Sequence, residues 1–278
     1  MQLKEMQECA KETLAFFIQT MPDMPFASDD ITIRFVTKAE IVPQFKAFCT
    51  EHAPERLLAL GDHHFDALEN EVFGNAVTGR KKSAAFIRIS YKIDRDTLRR
   101  IVFHELMHIY CSKIEMDTEH FIDIYGSGHT PDLDPEDKIY DGQLNAGYAV
   151  WSEFVAEYYA VMNTTPERHR FVDIVEPVFN LLDEVRIQDE GAKGSFSMLC
   201  AYLLSCADAQ DAIASMAEIS DDSPEGAEAV VALQNCLVYL YEHMQRAKPC
   251  KITEEFIHVL GSKYLMFVLR NSMFMGLI

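Results

Sequence analysis

Apolar positions recur at helical spacing over residues 3–20 (Leu3, Met6, Leu14, Phe17, Ile18), and Pro22 and Pro25 close that run, which predicts an opening helix. Ile31-Thr-Ile-Arg-Phe-Val36 then alternates apolar and polar residues, the period of a strand with one face on a core. Helical spacing returns over residues 40–52 and 54–70. His63 and His64 in the second of these are adjacent, cannot share a helical face, and read as a surface pair. Ala84-Ala-Phe-Ile-Arg-Ile-Ser90 is a second strand, either an edge strand open to an extended ligand or an ordinary sheet strand. Asp94 or Asp96 can cap the next helix, with Thr97 in its first turn. Leu98, Ile101, Val102, Phe103, Leu106, Met107, Ile109 and Tyr110 make that helix apolar nearly all round, so it belongs in the interior.

From about Glu115 to Tyr148 the periodicity fails, and turn formers and acids predominate. Asp132, Asp134, Glu136 and Asp137 lack the spacing of a calcium loop and read as a solvated acidic stretch. Helical order resumes at Trp151-Ser-Glu153-Phe-Val-Ala-Glu157-Tyr-Tyr-Ala160 and stops at Asn163-Thr-Thr-Pro166. Thr165-Pro166-Glu167 opens another helix by cap and N1 proline. The remaining spans are 166–189 (kinked at Pro177), 195–217, 223–246 and 252–276, with Asp222 or Ser223 and Pro224 starting the third. Strands early and helices late give an α+β chain.

Composition narrows the classes of partner. The chain has 278 residues, 49% of them hydrophobic, enough for a large core. A net charge of −19 disfavours nucleic acid and anionic membrane as partners. Seven scattered cysteines without a C-x-x-C pair point to reduced, buried thiols and a cytoplasmic setting. The first residues carry acids and no apolar signal core. The longest apolar stretch, residues 264–278, is broken by Arg270 and Asn271, so no membrane span is expected.

The buried helix carries the chemistry. His104-Glu105-Leu-Met-His108 reads H-E-x-x-H. Residues four apart on an α-helix are offset by only about 40°, so two imidazoles can serve one zinc ion. Glu105 flanks them, where its carboxylate can take a proton from a zinc-bound water whose pKa is lowered toward about 7. A catalytic zinc needs one more protein ligand besides that water. Glu153 and Glu157 share a helical face downstream: Glu153 is the best third ligand, and Glu157 can accept the Nδ1–H of a ligand histidine. His120 and His129 are the rivals for the third position. Tyr140, Tyr148, Tyr159 and His129 are candidates for the donor that stabilises an oxyanion.

The combination of His104-Glu105-x-x-His108 with a downstream helix bearing Glu153 resembles the gluzincin branch of the zincin metallopeptidases, which includes thermolysin-like enzymes. The E-x-x-A-x-x-Y-A form of residues 153–160 is similar to the third-ligand helix of ImmA/IrrE-type peptidases. The resemblance implies a zincin-like α+β fold, with a small mixed sheet and the active-site helix in an amino-terminal lobe (1–114). An acidic insertion (115–150) would follow, then a helical lobe with the third ligand (151–278). It also implies a cleft between the lobes, one zinc ion and a peptide or protein substrate. The chain departs from the pattern in the 44 residues between His108 and Glu153. It lacks a G-x-M-E-N exopeptidase motif and the x-x-G-x-x-H extension of metzincins. The expected function is a zinc metallopeptidase. The alternatives are a regulatory or partner-specific protein on the same scaffold, and a structural metal protein with His120 or His129 closing the coordination sphere.

Overall fold

The computed structural model describes residues 1–60, 65–66, 68–69, 74–89, 92–114, 135–165, 167–171, 191–216, 224–246 and 252–274. It divides into two compact units, Met1–Thr130 and Pro131–Ile278. Among the described residues the chain is mostly helical with one small mixed sheet, an α+β composition.

The amino-terminal unit opens with α1 (Leu3–Thr20), β1 (Ile31–Val36), α2 (Lys38–His52) and α3 (Pro54–Ala59), followed by β2 (Gly74–Thr78), β3 (Ser83–Arg88) and α4 (Arg95–Lys113). The strand order is β1-β3-β2, with β1 parallel and β2 antiparallel to β3. β3 is therefore the central strand. The edge-strand alternative for residues 84–90 is set aside, because both sides of β3 are already hydrogen-bonded. Its composition explains the placement: Ala84, Ala85, Phe86 and Ile87 are all essentially inaccessible, as a strand covered on both faces requires. Alternation sends Ala84 and Phe86 to one face, where Phe86 meets Phe45 and Phe48 of α2. Ala85 and Ile87 point to the opposite face.

α1 packs on α4 through an aromatic cluster. The Phe17 ring lies 4.8 Å from Phe103 and 6.0 Å from Tyr110, both edge-on, and stacks on Phe26. The Tyr110 hydroxyl donates to the Pro22 carbonyl at 2.8 Å, so the turn after α1 is pinned to α4. Residues 61–64, including His63 and His64, lie outside the described residues.

The carboxy-terminal unit comprises α5 (Pro135–Thr164), α6 (Ala192–Ser205), α7 (Ala209–Ser215), α8 (Pro224–Arg246) and α9 (Glu254–Phe274). α5 begins at Pro135, well before Trp151, and it takes in much of the stretch where the hydrophobic periodicity fails. A proline at the first helical position suits that start. The end at Thr164 is where Asn163-Thr-Thr-Pro166 places it.

Two expected helices differ where they are described; residues 172–189 of the first, with the expected kink at Pro177, lie outside the described residues. Residues 167–170 are not helical: the His169 carbonyl accepts from Ala207 N–H at 2.9 Å, and Phe171 N–H donates to the Asp208 carboxylate at 2.9 Å. Those same bonds hold the break that splits the expected 195–217 helix into α6 and α7. α8 and α9 match the expected spans closely. The core of this unit gathers round the fully buried Trp151, edge-on to Phe256 and His243, and round Phe196 against Tyr264 and Phe267. No helix among the described residues is long and apolar enough to cross a membrane.

Candidate metal centre

α4 starts where Asp94 accepts the Thr97 N–H at 2.7 Å, which satisfies one of the donors left over at a helix start. That bond, more than any other cause, holds the Asp94 carboxyl below its ordinary range. Leu98, Val102, Phe103, Leu106, Met107, Ile109 and Tyr110 are buried, so the helix is fixed in its unit on nearly every side. Its far end is tied down as well: the Lys113 ammonium donates to the Gly79 carbonyl at 2.7 Å, fastening the β2–β3 turn to the last turn of the helix.

His104 and His108 sit one turn apart on this clamped helix, each half-buried. Their rings stand 4.7 Å apart between centroids at 75°, and the two Nε2 atoms are 3.0 Å from each other. For nitrogens about 2.0–2.1 Å from a tetrahedral zinc ion, the nitrogen–nitrogen separation is about 3.3 Å. The pair stands about 0.3 Å closer than that, at the distance of a ring-to-ring hydrogen bond, and would open slightly to take such an ion.

Glu105 is buried, with only 6% of its surface exposed. Its side chain lies across the first residue of β2. A Cβ placed on Gly74 would stand 2.4 Å from Glu105 Oε1 and 2.9 Å from Cδ. β2 and Gly74 are features that the sequence reading misses. The available signal is a hairpin: Val77 and Ala84 flank Thr78-Gly-Arg-Lys-Lys-Ser83, a short polar loop containing glycine.

In the other unit, α5 carries Glu153, half-buried, and Glu157, buried with 6% exposure. The four-residue spacing places both on one helical face. Phe154, Val155, Ala156 and Ala160 are buried around them and anchor that part of the helix. Of the rival ligands and oxyanion donors, His120 and His129 lie outside the described residues. Tyr140 is exposed and donates to Glu254 at 2.6 Å, which raises its phenol pKa and engages its hydroxyl on the surface of α9. Six cysteines (Cys9, Cys49, Cys111, Cys200, Cys206, Cys236) are buried free thiols, and Cys250 lies outside the described residues. Comparison with known family models, with curated proteins and with solved structures finds no match to this chain.

Proposed function

We propose that the protein is a zinc-dependent peptidase of the gluzincin type, with a zincin-like fold, acting on a peptide or protein substrate. The observation that carries this reading is the convergence of His104 and His108 Nε2 at 3.0 Å on a helix whose intervening Glu105 is buried. Two imidazoles and a carboxylate facing inward from an apolar helix are costly to desolvate unless they share a partner. Glu153, half-buried on α5 with buried neighbours along the helix, is the carboxylate that the sequence offers as a third ligand.

In this reading His104, His108 and Glu153 hold one zinc ion. The ion would supply Lewis-acid activation of a water molecule and of the scissile carbonyl. Glu105 takes the proton of the attacking water and returns it to the departing amine, the ordinary double duty of a general base turned acid. Glu157 accepts the Nδ1–H of a ligand histidine and fixes its ring orientation. The free thiols support a reducing, cytoplasmic setting.

The test is a pair of variants read on two scales. Glu105→Gln is expected to keep one zinc per chain and lose turnover by about 10³-fold or more, as removal of a positioned proton acceptor does. Glu153→Ala is expected to lose the metal itself. A Glu105→Gln protein that cleaves as fast as wild type ends this reading. A partner-specific regulator on the same scaffold is told apart by casein, which a broad peptidase cuts in zinc and spares in chelator.

A further inference from the structure

The wall behind the Glu105 carboxylate is backbone. Gly74 opens β2 opposite Ile87 of the central strand, and it is itself buried. The three atoms nearest to a notional Gly74 Cβ are Oε1, Cδ and Cγ of Glu105, at 2.4, 2.9 and 3.0 Å. The whole outer half of that side chain thus rests against the bare Cα. Any larger residue occupies the space the carboxylate now fills. The backbone of Gly74 does not need glycine, since its φ is not in the left-handed region. What requires glycine here is the carboxylate.

We infer that Gly74 is a positioning residue for Glu105: the missing side chain at the start of β2 sets where the carboxylate stands beside the His104–His108 pair. This rests on the peptidase reading for its kinetic consequence, but the placement is a structural matter in its own right. All three of the atoms that a Cβ would crowd most belong to the movable end of a glutamate, and none of them is backbone. Alanine is therefore accommodated by rotating Glu105 away, with β2 and α4 left in place. Fold and ligand histidines survive while the reacting group is misplaced. A displacement of about 1 Å in such a group costs on the order of 10²-fold in rate.

The experiment uses the zinc-loaded full chain with Gly74→Ala, Glu105→Asp and the double variant. Gly74→Ala is expected to keep its zinc stoichiometry and unfolding midpoint, and to lose kcat by about 10²-fold with KM changed by no more than about threefold. Glu105→Asp draws the carboxylate back by one methylene and vacates the space over residue 74. The double variant should then match Glu105→Asp alone within about threefold, where independent effects would multiply. Crystal structures of wild type and Gly74→Ala supply the readout that does not depend on turnover: the Glu105 carboxylate moves and the two imidazoles stay. Multiplicative losses, an unchanged kcat in Gly74→Ala, or a carboxylate that has not moved overturns the inference. A wild-type chain without zinc-dependent turnover refutes the peptidase reading instead, and the crystallographic comparison still decides the placement.

Discussion

Gly74 at the start of β2 and the Gly147–Gly261 pair, where α5 crosses α9, are small for opposite reasons. At Gly74 a Cβ would meet Glu105 side-chain atoms first. At Gly147 it would come within 1.9 Å of the Ile257 carbonyl oxygen, and at Gly261 within 1.8 Å of the Gln143 carbonyl oxygen. A glutamate can turn aside. A helix carbonyl moves only with its helix. One glycine therefore leaves room for the Glu105 carboxylate and should cost the fold little when replaced, while the other two leave room for a helix crossing. The same residue type separates the proposed positioning of Glu105 from the packing of a helical unit.

The largest effect on stability is accordingly expected at the crossing. Gly261→Ala or Gly147→Ala forces α5 and α9 apart and should destabilise the protein by about 3 kcal/mol, at the upper end for an overpacked contact. Urea unfolding monitored by the fluorescence of Trp151, the sole tryptophan and fully buried next to this crossing, measures it directly. Because Gly147 and Gly261 face each other, the second substitution should add less than the first. A Gly261→Ala protein as stable as wild type would erase the contrast with Gly74.

A smaller and independent readout comes from the thiols of the same helical unit. Burial raises the Cys236 pKa to about 12, because the anion has no solvent there. Cys200 is raised well above its ordinary value for the same reason. At pH 8 the thiolate fraction at Cys236 is about 10⁻⁴, roughly 10³ times less than for an exposed cysteine, and alkylation should slow in proportion. Gly261→Ala should speed that alkylation by letting the helices open, whereas Gly74→Ala should leave it unchanged. Fast labelling in the wild-type chain, or equal acceleration by both variants, would break the comparison.

How far these features are legible in the sequence depends on whether their causes are local. α1, β1, α8 and α9 follow from periodicity and breakers within a dozen residues. His104, Glu105 and His108 are legible because a four-residue helical spacing is itself the geometry. The centrality of β3 is not, since it depends on β2, five residues long and opening with a glycine that no strand propensity favours. The early start of α5 is hidden by Gly142, Asn145 and Gly147, poor helix formers one of which is required by the crossing with α9. The break between α6 and α7 has no glycine or proline to announce it. It is held by the Ala207 N–H on the His169 carbonyl and by the Phe171 N–H on the Asp208 carboxylate, partners nearly 40 residues apart in the chain, and no local pattern encodes such contacts.

The smallest expected effect returns to the helix that carries the histidines and asks whether its start, unlike its glycine neighbour, matters to stability alone. Asp94 accepts the Thr97 backbone N–H and its carboxyl pKa is lowered, so the folded protein binds that proton less readily than the unfolded chain does. Glu40 is lowered likewise at the start of α2, first by the Thr37 hydroxyl at 2.7 Å and then by the Thr37 backbone N–H at 2.9 Å. A depressed folded-state pKa gives stability that is fully present above the unfolded value, about 3.9 for an aspartate, and is lost as pH falls through the lower folded value. The difference in unfolding midpoint between wild type and Asp94→Ala should therefore be constant from pH 7 to about pH 5 and shrink below about pH 4. Turnover per folded molecule at neutral pH should be unaffected, because His104 lies more than two turns beyond the cap. A difference that widened on acidification would show that the carboxylate is not what caps α4. A loss of turnover without a loss of stability would place the start of the helix on the same side of the comparison as Gly74.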